Sequence, residues 1–517
     1  MLKPTPKAAF SEILGVAIAL VLLHGVLWLY LLPLPHVDLI TFGEPALLLA
    51  TTGKIAAPAS QYLDLTYVLG SYFYPPGYIV ILAAWLKIMG TSVGSWLGYT
   101  HVVHALYLFG LWLLLRWRLG CSFLIASLAT LSAFPYISYG RPDLTSLLLG
   151  VIAWLLLPDT LQWRRIGLIG LLLGTAVLVS PPFGLSSSVA VGGFYLLRVG
   201  SRGKSQFLSF LALTGVAIAT FLGLWAVILT WQDAWAFGFE QFRVHAANRG
   251  ADLNTWPKPP LLYGIAFIGL PLLAFTVIPA LATILQNPKA FRQPPVAVAL
   301  AYLGSIGLWF SLSKSALLMS GYHFLLLARP VFHGVWVNTQ KRWQPVAIAI
   351  LLAFTIINCY FYKDDFLAAN SNPHNVYDTL AALNFPPDAI ALIDSPFFPI
   401  LYRPGKTLNY FTTIQENAWQ RYRDFTNPDI LAQLPQGADT QPPVADIIVV
   451  SAFTLSRNAL PDPEFYSLAS PDNLDIPRFE IFGKTVEYPQ NPLQPYIFYR
   501  IDERSHSSNR PHLTTHR

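Results

Sequence analysis

The chain has 517 residues, of which 54% are hydrophobic and only 12% charged, whereas soluble globular proteins carry about 25% charged residues. So few charges exclude an ordinary soluble enzyme, and a mean hydropathy of +0.48 excludes a disordered chain. The net charge of +6 is split unevenly: residues 1–362 hold 21 Lys and Arg against 9 Asp and Glu, while 363–517 hold 12 against 18. The basic excess sits in short loops between apolar runs, as in the cytoplasmic loops of a membrane protein, so no nucleic-acid partner is expected.

In chain order, apolar runs of spanning or near-spanning length occupy 10–32, 95–115, 121–139, 142–157, 166–181, 183–197, 207–230, 261–285, 296–312, 316–335 and 345–361. The first is too long for a signal-peptide core and lacks a small-residue cleavage site, so it is expected to stay attached. The run 76–90 is shorter, opens on Pro75-Pro76 and ends near Lys87; it is read as a re-entrant or interfacial segment. With that segment not crossing, Arg116/Arg118, Arg164/Arg165, Arg198/Arg202/Lys204, Lys289/Arg292 and Lys341/Arg342 all fall on the cytoplasmic side with the N-terminus. The expected fold is therefore an all-α polytopic membrane bundle of about 11 transmembrane helices over residues 1–362, in an inner or plasma membrane.

The same topology puts a first outer loop at 33–75 and another at 231–260. Within the first, Glu44-Pro45 through Thr52-Gly53 carries start and stop signals for a short surface helix. Residues 363–503 alternate a helical stretch, 376–383, with short apolar runs at 389–393, 446–450 and 496–501 among many Pro, Asn and Asp residues. This pattern predicts a small extracytoplasmic α/β domain, followed by a frayed tail at 504–517. Cys121 and Cys359 are the sole cysteines, so no disulfide can close that domain.

Candidate chemistry gathers on the outer side. Asp38 lies just beyond the first span and Glu44 at the surface helix; each reads as a catalytic carboxylate or as a solvated loop acid. Arg141-Pro142-Asp143 fixes a cation beside an anion in a short outer turn, either as a local ion pair or as a phosphate contact, for which guanidinium is suited. Tyr74 and Tyr78, in the run Tyr72-Phe73-Tyr74-Pro75-Pro76-Gly77-Tyr78, form an interfacial belt or the wall of a lipid groove. Lys314 stands at the outer mouth of the 316–335 span and His323 one or two turns inside it, and Arg243 and His245 lie in the second outer loop; all four are candidates for phosphate or donor binding. His101 and His104, three apart without a third ligand at a recognisable spacing, read as packing rather than a metal pair. A Gly-Lys-Ser/Thr phosphate loop, a His-Glu-x-x-His motif, a Gly-x-Ser-x-Gly motif and a dinucleotide fingerprint are all missing from the sequence.

The order His36-Val37-Asp38, Thr52-Gly53-Lys54, Tyr74-Pro75-Pro76-Gly77-Tyr78, Trp85 to Gly90 and Tyr139-Gly140-Arg141-Pro142-Asp143-Leu144 resembles the GT-C superfamily of polytopic glycosyltransferases. The branch it is most similar to contains the protein O-mannosyltransferases and the lipid A aminoarabinose transferase. That resemblance covers about residues 10–200 by motif. It implies transfer of a sugar from a polyprenyl-phosphate donor to a hydroxyl of a glycan, lipid or protein acceptor on the outer face. Asp38 matches the catalytic base. The family often has an Asp-Glu pair there; here Leu39 follows Asp38, so a single acid serves or Glu44 assists. Arg141 and Asp143 match the second outer-loop motif. No cofactor is required, although a divalent cation bridging carboxylate and phosphate fits such a site. The rival readings are a transporter or flippase of lipid-linked glycans and a non-catalytic scaffold.

Overall fold

The computed structural model describes residues 6–32, 37–60, 72, 74–134, 141–236, 238–243 and 278–293, and shorter stretches between 296 and 500. Up to residue 293 the described chain is helical. The helices are α1 (Pro6–Leu29), α2 (Val37–Thr52), α3 (Gly77–Met89), α4 (Val93–Leu113), α5 (Phe123–Leu131), α6 (Asp143–Leu156), α7 (Trp163–Val179), α8 (Pro181–Arg198), α9 (Lys204–Trp231) and α10 (Ile278–Gln286). A turn of π-helix at Leu114–Arg118 extends α4. Among the described residues, three stretches are long and apolar enough to cross a membrane: Ala9–Leu29, Val93–Arg118 and Lys204–Trp231. On α1 and α9, Phe10, Val21, Leu22, Leu29, Ile218 and Val227 stay more than half exposed, a surface that lipid rather than water would cover.

α3 has 13 residues, which at 1.5 Å per residue reach about 20 Å, short of a hydrocarbon core of about 30 Å. α2 starts seven residues earlier than its sequence signals suggest and runs through Pro45. Pro45 lacks the N–H of an interior helical bond; burial of Leu39, Ile40, Phe42, Ala46 and Leu49 offsets that loss. Gly43 lets α2 lie directly on α4, since a Cβ there would stand 2.8 Å from the Trp96 ring. Two further glycines bring backbones together. A Cβ on Gly174 of α7 would meet the Ala217 carbonyl of α9 at 2.4 Å, and one on Gly184 of α8 would meet the Val177 amide at 2.3 Å.

Charge marks one end of the bundle. Arg116 forks onto Glu12 with Nε and Nη2 at 2.8 and 3.0 Å, and Arg118 and Arg198 reach Asp159 at 3.1 and 3.9 Å. Arg292 donates to the Ser201 carbonyl at 3.0 Å. The basic groups of three connections thus meet at the end where α1 begins and α6 finishes, and α2 and the start of α6 lie at the other.

The C-terminal part holds α11 (Pro373–Ala381), a short α12 (Phe398–Leu401) and strands β1 (Ala391–Ile393), β2 (Thr407–Asn409), β3 (Ile447–Ser451), β4 (Tyr466–Leu468), β5 (Arg478–Ile481), β6 (Lys484–Glu487) and β7 (Pro495–Arg500). Five strands form a mixed sheet in the order β2-β1-β3-β7-β4, parallel across β2-β1-β3 and antiparallel at β7, and β5 and β6 pair separately. β1 and β3 are buried along their whole length, which suits interior strands built of Ile, Val and Leu.

Candidate functional site

The polar residues opposite the basic end are built on the middle of α2, the start of α6 and the finish of α7. Asp143 is the first residue of α6, where a carboxylate is favoured by the helix dipole. It is 6% exposed. Its Oδ2 accepts from Arg141 Nε at 2.8 Å and its Oδ1 from the Ser180 hydroxyl at 3.2 Å. Ser180 reaches it because α7 ends there and α8 restarts at once on Pro181. Within the same turn of α6, Thr145 Oγ1 lies 3.0 Å from the Tyr99 hydroxyl of α4, and Ser146 donates to the Ala176 carbonyl. Burial pushes the Glu44 carboxyl up to about 8, against hydrogen bonds from the Ala59 amide and Tyr402 that pull it down. Glu44 is wholly buried: the Ala59 N–H approaches both of its oxygens, at 2.9 and 3.0 Å, and the Tyr402 hydroxyl donates to Oε1 at 2.8 Å.

An aromatic run links the two acids' helices. Tyr74 stacks on Phe42 of α2 with centroids 5.9 Å apart, and Tyr78 meets Phe42 edge-on at 5.7 Å and Tyr99 at 5.9 Å. Tyr78 is buried among these rings, whereas Tyr74 is half-buried. Gly77 packs against the last turn of α7, where a Cβ would sit 2.8 Å from the Leu178 carbonyl oxygen.

Asp38 occupies the first turn of α2; its side chain lies outside the described residues, as do Lys314, His323 and His245. Arg243 is exposed and pairs with Glu240, Nε to Oε2 at 2.7 Å. Glu44 and Asp143 thus sit on elements joined through Phe42, Tyr78 and Tyr99, and Arg243 stands in a separate local pair. His101 and His104 share a buried cluster with His24 of α1, whose Nδ1 is 3.2 Å from His101 Nδ1 and whose ring lies 5.0 Å from that of His104. No group of three or more His, Cys, Asp or Glu is arranged to hold a metal ion among the described residues.

Sequence reasoning missed the partners. Ser180, Tyr402 and the Ala59 amide come from 37, 358 and 15 residues away. Gln232 and Gln241 were also missed. Gln232 binds the Ile55 amide and the Gly53 carbonyl, and Gln241 accepts from the Tyr72 amide. An amide side chain that binds backbone far along the chain carries no local sequence signal. His24, a polar exception inside the first apolar run, belongs to the buried histidine cluster instead.

No protein-family profile matches the chain, and no curated protein matches it in sequence. Among solved structures, it is similar to the Archaeoglobus fulgidus oligosaccharyltransferase tethered by a disulfide to an acceptor peptide containing the NVT sequon: TM-score 0.42, 9% identity, covering 86% of this chain and 69% of that one. It is also similar to the same enzyme complexed with Zn and sulfate: TM-score 0.33, 11% identity, covering 84% and 67%.

Proposed function

We propose that this chain is a membrane glycosyltransferase that moves a sugar from a polyprenyl-phosphate donor to a hydroxyl acceptor on the extracytoplasmic face. The observation that carries the reading is the polarity of the bundle. Paired arginines mark one end, and at the other a buried carboxylate holds Arg141 beside a serine hydroxyl. In this reading residues 1–362 are the catalytic membrane part, with the N-terminus cytoplasmic. Residues 33–75 form the first outer loop, 363–503 an extracytoplasmic domain and 504–517 a tail.

The chemistry asks little of the protein. A lipid phosphate is already a good leaving group. An acceptor oxygen attacks the anomeric carbon, the bond from that carbon to the phosphate oxygen breaks, and the electron pair leaves with the phosphate. The chain must then take up the acceptor's proton and balance the phosphate charge. Asp38 takes the proton in this proposal. Arg141, oriented through Nε by Asp143, balances the departing phosphate together with Lys314, and Arg243, His245 and His323 contact the donor. Tyr74 contributes the wall for the isoprenoid and Tyr78 supports it from behind.

The test incubates the purified full-length protein with a panel of radiolabelled polyprenyl-phosphate sugars, with and without chelator. Release of free polyprenyl phosphate is the expected result. Movement of intact donor across a vesicle without any release would replace the enzyme with a flippase.

A further inference from the structure

Arginines outnumber their acid partner at the basic end of the bundle. Arg118 closes the π-turn after α4, Arg198 is the last residue of α8, and Arg202 ends the Gly200–Arg202 turn between α8 and α9. The charges that act on Arg198 are Asp159, Arg118 and Arg202, so three guanidiniums, charged at any ordinary pH, share a single carboxylate. Arg118 takes most of it: its Nη1 and Nη2 donate to Asp159 at 3.1 and 3.3 Å, and Nη2 also donates to the Leu157 carbonyl. Arg198 stands 3.9 Å from Asp159, an ion-pair distance beyond hydrogen-bond reach. Its side chain is 24% exposed, its Nε is buried without a partner, and none of its nitrogens has an acceptor among the described residues. We propose that Arg198 and Arg202 hold the phosphate of an anionic phospholipid in the leaflet at the basic end, with Arg118, fixed by Asp159, adding its charge.

The surroundings favour a lipid over a soluble anion. Exposed aromatic side chains flank the charges in sequence: Trp117 precedes Arg118, Trp163 opens α7 four residues after Asp159, and Phe207 lies in the first turn of α9. Tryptophans gather at the headgroup level of a bilayer, so these rings set the arginines at the depth of lipid phosphates. The Arg198 guanidinium is held in place over the Phe194 ring, 5.6 Å from its centroid. Arg292 reaches the same turn by donating to the Ser201 carbonyl. Even without it, three arginines against one aspartate leave an excess of two positive charges, and partial burial makes their mutual repulsion stronger than in water. A phosphate supplies the missing charge and the missing acceptors together, since guanidinium donors match its oxygens. Basic pockets between helices on the cytoplasmic side suit anionic headgroups in the same way. This site lies at the end of the bundle away from Arg141, and it goes beyond the glycosyl-transfer reading without resting on it.

Native mass spectrometry of the purified full-length protein, released from detergent micelles doped with phosphatidylglycerol, counts the lipids that stay bound. Phosphatidylcholine, which carries the same phosphate beside its own cation, is the control. Wild type is expected to retain one phosphatidylglycerol well beyond any others and to prefer it to phosphatidylcholine. R198Q and R202Q should each weaken that first binding by about tenfold or more, the scale of hydrogen bonds to a charged group. Arg202 is exposed, so R202Q reads the site without disturbing the packed interior. Arg164 is exposed at the same end but is not among the charges that act on Arg198; R164Q should leave the first binding unchanged. Equal losses in R164Q and R202Q would mean diffuse attraction to a basic surface and overturn the site. Equal retention of the two lipids would overturn it as well. So would release of phosphatidylglycerol by millimolar inorganic phosphate, the mark of a site for a soluble anion.

Discussion

Asp143 and Arg141 offer a double-mutant cycle whose size follows from their burial. The pair is 2.8 Å apart, with side chains 9% and 20% exposed. An exposed ion pair contributes about 0–1 kcal/mol, whereas removing one partner of a buried pair costs about 3–5 kcal/mol. D143N preserves the shape and still offers an oxygen to Ser180, so it loses only the charge-assisted part, and Arg141 retains some access to water. A cost of about 2 kcal/mol follows, near the middle of the range for hydrogen bonds to charged groups. R141Q should cost about the same. Because the two changes remove a single interaction, the double variant should be barely worse than either, a coupling of about 1.5 kcal/mol. Reversible unfolding in mixed detergent and SDS micelles, followed by tryptophan fluorescence, reads all four corners of the cycle. Additive costs, with a coupling below about 0.5 kcal/mol, would refute a buried pair and with it the orienting role given to Asp143.

Two other predictions test how the scaffold is built. G184A places a methyl 2.3 Å from the Val177 amide and should destabilise by about 3 kcal/mol or more, whereas G223A, with open space around it, should be neutral or stabilising; the unfolding assay compares them. Q232A removes the bonds at 2.9 and 3.2 Å that pin residues 53–55. At about 1 kcal/mol per bond, about 2 kcal/mol for the two, their amides should exchange about thirtyfold faster, and unchanged exchange would mean that the loop is held by other contacts.

Long periodic segments were the most legible part of the sequence. The runs at 10–32, 95–115 and 207–230 correspond to helices that could cross a membrane, because continuous apolarity over that length needs no tertiary information. In the C-terminal part, Ile447–Ser451 and Pro495–Arg500 fell within a residue of the runs read as apolar. β2 and β4, at three residues each, are too short for alternation to show. α2 was read too short, since Pro45 looked like a start when burial of its neighbours carries the helix through. Of the site, the residue types at 44, 141 and 143 were visible, as was the local pairing of Arg141 with Asp143. The environment was not: Glu44 reads from the sequence as a catalytic carboxylate or a loop acid, both open to water, and only the fold brings Ala59 and Tyr402 onto it. Likewise nothing local pairs Ser180 with Asp143, because that bond depends on where α7 stops.

The most direct test of the catalytic assignment is the D38N protein reconstituted in liposomes with the polyprenyl-phosphate sugar that the wild type consumes. An isosteric amide cannot take the acceptor's proton, so release of free polyprenyl phosphate should fall by at least about a hundredfold, with membrane insertion and unfolding behaviour unchanged. Release at the wild-type rate from a folded D38N protein would contradict the account.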